Sequence, residues 1–225
     1  MRRKRERGAE VSDLVTQRLS LYLRCLEELQ RQKVVTISSQ TLADQFRLSS
    51  AQIRKDLANF GGFGVRGVGY SVQELKGRLT RILGLDRDLK VVIVGAGNLG
   101  MALGDYAGFN REGFRIVALF DTAPDKIGGA CRNGAPILPV SQIREVAQRE
   151  GVQIAVLAVP APAAQSAADA VAGAGIPAIL NFAPAQVRVP PATSLRNVDL
   201  KIQLESLAFR LASSHRAPTR RRAQG

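Results

Sequence analysis

The run Lys90-Val91-Val92-Ile93-Val94 feeds directly into Gly95-Ala96-Gly97-Asn98-Leu99-Gly100, and an apolar helical pattern (Leu99, Met101, Ala102, Leu103) follows. Strand, G-x-G-x-x-G turn and helix, in that order, are what a dinucleotide-binding βαβ unit requires. The first glycine permits the tight turn, the second lets backbone approach a pyrophosphate, and the third lets the helix pack against the strand. The free N–H groups at the helix start then meet anionic phosphates. Asp121 stands at the end of the next expected strand, 21 residues past Gly100. A carboxylate there accepts from both ribose hydroxyls and repels a 2′-phosphate, which favours NAD(H) over NADP(H). Lys126 either reaches a 2′-phosphate or sits in solvent.

This unit does not begin until Lys90, and what precedes it is of another character. Residues 1–84 carry 16 Lys/Arg against 8 Asp/Glu, residues 85–212 carry 12 against 11, and the tail from 213 adds four arginines. A basic first segment beside a nearly neutral second one predicts a polyanionic partner for the first. Helical periodicity runs from about Ser12 through Leu14, Leu19, Leu23, Leu26 and Leu29 to about Gln32. Ser38 or Ser39 caps a second helix with Leu42, Ala43 and Phe46. Ser49, three residues before Gln52, makes a capping box for a third helix, which turns Ile53, Leu57 and Phe60 inward. Ser50, Gln52, Arg54, Lys55 and Asn59 then lie elsewhere on that helix. Five glycines in residues 61–70 exclude a helix, and Phe63, Val65 and Val68 predict a small ribbon with Arg66 at its tip. These elements make a winged helix-turn-helix, the helix-turn-helix spanning about Leu21 to Phe60. Its third helix suits the major groove, with Gln52 for an adenine edge, Arg54 and Lys55 for guanine or phosphate, and Arg66 for phosphate or the minor groove.

Beyond a helix from Ser71 to about Gly84, strands and helices alternate. Strands are expected at 91–94, 115–120, 153–159, 178–180 and 198–201, and helices at 98–107, 141–148 and 163–172. That alternation predicts a doubly wound, Rossmann-type parallel sheet with helices on both sides. Val159-Pro160 and Asn181-Phe182-Ala183-Pro184 fall just past strand ends, where such sheets bind ligands, and are expected to floor a nicotinamide site. Leu204, Leu207, Ala208 and Leu211 mark a final amphipathic helix. The expected division is therefore a disordered basic arm (1–11), a winged-helix domain (12–84), a Rossmann NAD(H) domain (85–200), a C-terminal helix (201–212) and a disordered basic tail (213–225).

Catalytic equipment is thin. Hydride transfer to a carbonyl needs a proton donor, usually His, Lys or Tyr. The lone histidine, His215, is in the expected tail, and Tyr106 has no lysine four residues on. No spaced metal-ligand set is present, Cys25 and Cys131 form no disulfide framework, and no stretch suits a membrane span. A non-enzymatic, metal-free cytoplasmic protein is expected, with an NAD-dependent dehydrogenase carrying an appended basic domain, or a nucleotide-independent architectural DNA binder, as alternatives.

From about Arg18 to Leu211 the chain resembles the Rex family of redox-sensing transcriptional repressors. The resemblance rests on Gln52-Ile53-Arg54-Lys55-Asp56-Leu57, Arg66-Gly67-Val68-Gly69-Tyr70, Val94 to Gly100, and Ile179-Leu180-Asn181-Phe182-Ala183-Pro184 in one order. It implies a homodimer on palindromic operator DNA, a C-terminal helix (Ile202–Leu211) exchanged between subunits, NADH and NAD+ as sensed ligands, and release of the operator at a high NADH/NAD+ ratio. It also implies that Arg24, Tyr106 and Asp199 couple the two domains. Leu200 departs from the pattern, since some relatives carry an aromatic there.

Overall fold

The computed structural model describes residues 13–215 except 63, 66 and 112. The expected arm at 1–11, Phe63, Arg66 and the tail beyond 215 lie outside the described residues. The chain divides into two compact units between Arg87 and Asp88, three residues beyond Gly84.

The first unit contains α1 (Asp13–Arg31), β1 (Thr36–Ile37), α2 (Ser39–Phe46), α3 (Ser50–Ala58), β2 (Tyr70–Ser71) and α4 (Val72–Ile82). Three serines start helices: Ser38 Oγ accepts from Thr41 N–H, Ser49 from Gln52 and Ser71 from Glu74, each satisfying an N–H that the helix cannot. Leu19, Leu23, Leu26 and Leu29 of α1 meet Leu42, Ile53, Leu57, Leu75 and Leu79 in one core, with Phe60 half-buried against it. The ribbon is narrower than expected. Val65 and Gly69 exchange hydrogen bonds at 2.9 and 3.0 Å, but Val65 and Val68 are both exposed. The stem pairs elsewhere, Tyr70–Ser71 lying antiparallel to Thr36–Ile37. Gly69 allows this, because a Cβ there would stand 2.6 Å from the Ile37 carbonyl oxygen.

The second unit is a six-stranded parallel sheet. Its strands are β3 (Leu89–Val94), β4 (Phe114–Asp121), β5 (Ile137–Pro139), β6 (Ile154–Leu157), β7 (Ala178–Asn181) and β8 (Ser194–Asn197), in the order β5-β4-β3-β6-β7-β8. That is the doubly wound Rossmann order, with the chain reversing direction across the sheet between β3 and β6. Two further helices, α7 (Ile143–Glu150) and α8 (Ala164–Gly173), cover Val92, Val94, Ala118 and Phe120. The opposite pleat, with Val91, Ile93, Leu119 and Val156, packs with Met101 and Leu103 of α5 (Asn98–Gly104) and Phe109 of α6 (Ala107–Arg111).

Four expectations are corrected. The single helix 98–107 is broken, because Asn133 Nδ2 donates to the Gly104 carbonyl at 3.0 Å, the acceptor that a continuing helix would give to residue 108. Tyr106 thus lies in the α5–α6 connection. β5 was not foreseen: it is short, at the sheet edge, and ends in Pro139, which an edge strand tolerates. The last strand is 194–197, not 198–201, since Asp199 Oδ1 accepts from Lys201 and Ile202 N–H groups and so opens α9 (Leu200–His215). Finally, α9 continues through residues 213–215, where Ser213 Oγ bonds back to the Phe209 carbonyl.

Candidate functional site

At the C-terminal ends of β3 and β6 a cleft of about 490 Å³ opens, lined by Gly95, Gly97, Asp121, Lys126, Val159 and Pro160 among others. The glycines of the turn answer to different neighbours. Gly95 has φ +104°, and a Cβ there would lie 2.5 Å from the Ala158 carbonyl oxygen. A Cβ on Gly100 would collide with the Gly95 carbonyl, so these two lock strand, turn and helix together. Gly97 meets nothing within 4 Å and borders the cleft. Its Cα is therefore bare toward a ligand. Ala96 is buried, while Asn98 and Leu99 stand exposed on the first turn of α5.

Asp121 closes the cleft beside the turn. Its Oδ2 accepts from Ala96 N–H at 2.8 Å and from Lys126 Nζ at 3.2 Å, and its Oδ1 accepts from Thr122 and Ala123 N–H groups at 2.8 and 2.9 Å. Burial pushes this carboxyl up, but the Ala123 and Ala96 amides and Lys126 outweigh it and hold it below the ordinary carboxylate range. It is a fixed anion aimed by the same loop that shapes the turn. Lys126 is thus tied to Asp121.

Val159 and Pro160 line the cleft, and Pro160 leads into the 3-10 turn that precedes α8. Ala163 and Ser166, on the following turn and helix, line it too and were missed. The rule that ligands bind beyond strand ends at the reversal point would have found them, because they directly follow β6. Asn181 has a different task. It is buried, its Nδ2 donates to the Ala185 carbonyl and to Asn197 Oδ1, both at 2.9 Å, and its Oδ1 accepts from Ala183 N–H. Every polar atom of that side chain is engaged in shaping the loop after β7. Phe182 is half-buried against the α5 side of the sheet.

In the first unit, α2, a three-residue connection (Arg47 to Ser49) and α3 form a helix-turn-helix, with Arg47 at φ 55° in the turn. Arg54, Lys55 and Asn59 are exposed, Ser50 is half-buried, and Arg54 donates to Ser39 Oγ at 3.0 Å. Ala51 and Ala58, not singled out from sequence, share the exposed side of α3. Gln52 is half-buried and its amide donates to Asp56 Oδ1 at 2.7 Å. Of the expected coupling residues, Arg24 is exposed on α1, Tyr106 is 54% exposed and edge-on to Phe109, and Asp199 caps α9. Cys25 and Cys131 are free and buried. Among the described residues no group of three or more His, Cys, Asp or Glu side chains is placed to hold a metal, and no helix is long and apolar enough to cross a membrane.

Fold and cleft together define a class: a helix-turn-helix regulator that carries a Rossmann nucleotide-binding domain. Comparison with known proteins narrows it. Residues 10–58 match the family model "putative DNA-binding protein N-terminus" and residues 86–185 match "CoA binding domain". The redox-sensing transcriptional repressor Rex of Desulfitobacterium hafniense is 50% identical over 87% of this chain and 93% of its own length. That of Carboxydothermus hydrogenoformans is 45% identical over 91% of this chain and 98% of its own. Among solved structures, RSP in complex with NAD+ and operator DNA superposes with TM-score 0.87 at 40% identity, covering 91% of this chain and 94% of that one. RSP in complex with NADH gives 0.82 at 39% identity, over 92% and 97%. The chain belongs to the Rex family of redox-sensing transcriptional repressors.

Proposed function

We propose that this chain represses transcription as a cytoplasmic homodimer on palindromic operator DNA and leaves the operator when NADH occupies the cleft. One observation carries the reading: among the described residues a cleft with a bare Gly97 and a fixed Asp121 anion is lined by no histidine or tyrosine, and its lysine, Lys126, is paired with Asp121, in a chain whose other unit presents Arg54, Lys55 and Asn59 from a helix-turn-helix. Such a cleft holds a dinucleotide without a free group to exchange protons with a substrate, Lys126 being tied to Asp121, so its output is occupancy. Gly95 to Gly100 would hold the pyrophosphate and Asp121 the ribose hydroxyls, with Val159 and Pro160 toward the nicotinamide half and the loop shaped by Asn181, carrying Phe182, beside it. A buried site favours the uncharged reduced ring, because the NAD+ ring carries a charge that must be desolvated.

On the DNA side Lys55 and Arg54 meet phosphate or guanine, Ser50, Asn59 and the ribbon residue Arg66 meet the backbone, and Ala51 lets the helix approach closely. The dimer is supported by α9, which is apolar on two opposite faces: Leu200, Leu204, Leu207 and Leu211 on one, Ile202 and Phe209 on the other, all more than half exposed. A helix apolar on two opposite faces has two surfaces to bury, and a second copy exchanging α9 supplies them. Arg24, Tyr106 and Asp199 then carry the signal between domains.

NADH shifts the equilibrium only through differential affinity for the two arrangements, and operator weakens NADH binding by the same factor. Titrating an operator duplex in gel shift with each nucleotide tests this. Release by NADH with little response to NAD+ is expected; equal responses refute redox sensing, and turnover of a carbonyl substrate would establish the dehydrogenase alternative.

A further inference from the structure

Among the described residues Asp56 is the one buried side chain that carries a charge, at 1% exposure in the last turn of α3. Burying a carboxylate is unfavourable unless its lone pairs are met, and here four donations meet them. Arg18 Nε and Nη2 grip both oxygens at 2.5 and 2.8 Å, Tyr22 Oη donates at 2.9 Å, and Gln52 Nε2 at 2.7 Å. Arg18 and Tyr22 lie one turn apart on α1, and Gln52 lies one turn before Asp56 on α3. The forked Arg18–Asp56 pair fixes direction as well as distance, which the packing of Ile53 and Leu57 alone does not.

We propose that Asp56, with Arg18 and Tyr22, is a latch that sets the angle of α3 against α1, and that Gln52 is a strut of this latch instead of a reader of bases. The inference rests on the DNA-binding reading above. A glutamine that reads adenine offers amide nitrogen and oxygen together to one base edge; here the nitrogen is held by Asp56. Arg24 follows Tyr22 by two residues on the same helix, so any displacement of α1 at Arg24 reaches α3 through rigid helix and directional bonds. The guanidinium, together with Gln52 and Tyr22, keeps the Asp56 carboxyl below its ordinary range despite burial.

A latch and a mere stabiliser part company when the network is made apolar. Buried ion pairs replaced by hydrophobic residues of like size often leave stability unchanged or raised. The triple variant Arg18→Met/Tyr22→Phe/Asp56→Leu is therefore expected to melt at or above the parent temperature and to keep parent NADH affinity, its cleft lying in the other unit. Its affinity for a palindromic duplex, selected from a random library by the parent protein, should nonetheless fall roughly ten- to a hundredfold, as for about one lost base-pair contact. Parent-like duplex affinity overturns the latch. Gln52→Ala supplies a second measurement, one that does not depend on the triple variant folding. Across single-base variants of that duplex, uniform weakening supports the strut, whereas lost discrimination at one base pair makes Gln52 a reader and overturns it. A parent protein that selects no duplex at all refutes the underlying DNA-binding reading; a parent that binds beside an unaffected triple variant refutes the latch alone.

Discussion

Gly97→Ala should separate dinucleotide binding from folding. At Gly95 a side chain would strike the Ala158 carbonyl oxygen at 2.5 Å in a backbone with φ +104°, and at Gly100 it would strike the Gly95 carbonyl, so both substitutions disrupt the unit itself. Gly97 has φ −81° and ψ −172°, an extended conformation open to any residue, and no protein atom within 4 Å of an added Cβ. As an N-cap, alanine is worse than glycine by up to about 1 kcal/mol, offset by about 0.4–1 kcal/mol from the stiffer unfolded chain. The melting temperature should stay within roughly 4 °C of the parent. The methyl instead occupies the ground over which a pyrophosphate approaches backbone. Losing one or two charge-assisted hydrogen bonds, each about 1.5–3 kcal/mol, weakens NADH binding by about 2–5 kcal/mol, roughly thirtyfold to several thousandfold. The chain has no tryptophan, so NADH emission can be titrated without indole background. In gel shift the variant should hold the operator like the parent, yet stay bound at NADH concentrations that release the parent. NADH affinity within about threefold of the parent value, a difference of only about 0.7 kcal/mol, would refute the assignment of Gly97 to the pyrophosphate.

Lys55→Ala should weaken all duplexes alike and flatten the slope of log affinity against log salt by about 0.9, the value for one lost phosphate contact; an unchanged slope puts Lys55 off the backbone. Arg47 sits in the left-handed region at φ 55° and ψ 47° at the end of α2, and that conformation disfavours a side chain by about 1–2 kcal/mol. Arg47→Gly should raise stability by about 0.5–1 kcal/mol once the freedom of unfolded glycine is subtracted, and a lower urea midpoint would contradict this. Asp56 and Asp121 are both held below the ordinary value of 3.8, so their stabilisation is complete above the unfolded value and drains as pH falls through the native ones. The urea midpoint should be level above about pH 5 and fall below about pH 4, and Asp56→Asn should shallow that acid limb; an unaltered limb would exclude Asp56 from it. Asp121→Asn should lower NADH affinity about tenfold, the loss of one charge-assisted bond, and narrow the preference over NADPH; an unchanged preference would free Asp121 of the ribose.

What the sequence made legible was local. Three serine caps, the apolar stripes of α1 and α3, the glycine turn and the strand before it each depend on residues within one or two turns of one another, and apart from Leu14, which stands exposed at the start of α1, all are where spacing puts them. What it hid was decided by distant partners or by competition between local signals. The break after α5 comes from Asn133, 29 residues on. β5 exists because β4 offers it an edge, not because Ile137-Leu138-Pro139 has a strand's periodicity. At 198–201 two local signals compete, a strand-like valine and an aspartate that caps, and the cap prevails because its carboxylate meets two amides that would otherwise be free.

The same division runs through the site. Gly97, Asp121, Val159 and Pro160 are read correctly as neighbours because chain order in a doubly wound sheet already dictates which strand ends meet. Gln52 and Asn181 show where that reasoning stops. Each sits in a recognisable segment, and each has the amide chemistry to touch a ligand, yet each turns its donor inward, to Asp56 in one unit and to Ala185 and Asn197 in the other. A motif records both the residues that contact a ligand and those that hold the contacting residues in place, and residue type alone does not separate them. Where the side-chain atoms are engaged helps to separate them: Asn181 is buried with every polar atom engaged, and Gln52 is half-buried with its amide nitrogen on Asp56, whereas Lys55 is exposed. On the function proposed above, Lys55 and Asp121 act on the partner, Asp121 from the wall of the cleft it lines, whereas Gln52 and Asn181 act on the shape presented to it. On that reading, substitution at Lys55 alters the salt dependence of binding and substitution at Asp121 the choice of nucleotide, whereas substitutions at Gln52 and Asn181 scale affinity for all ligands together.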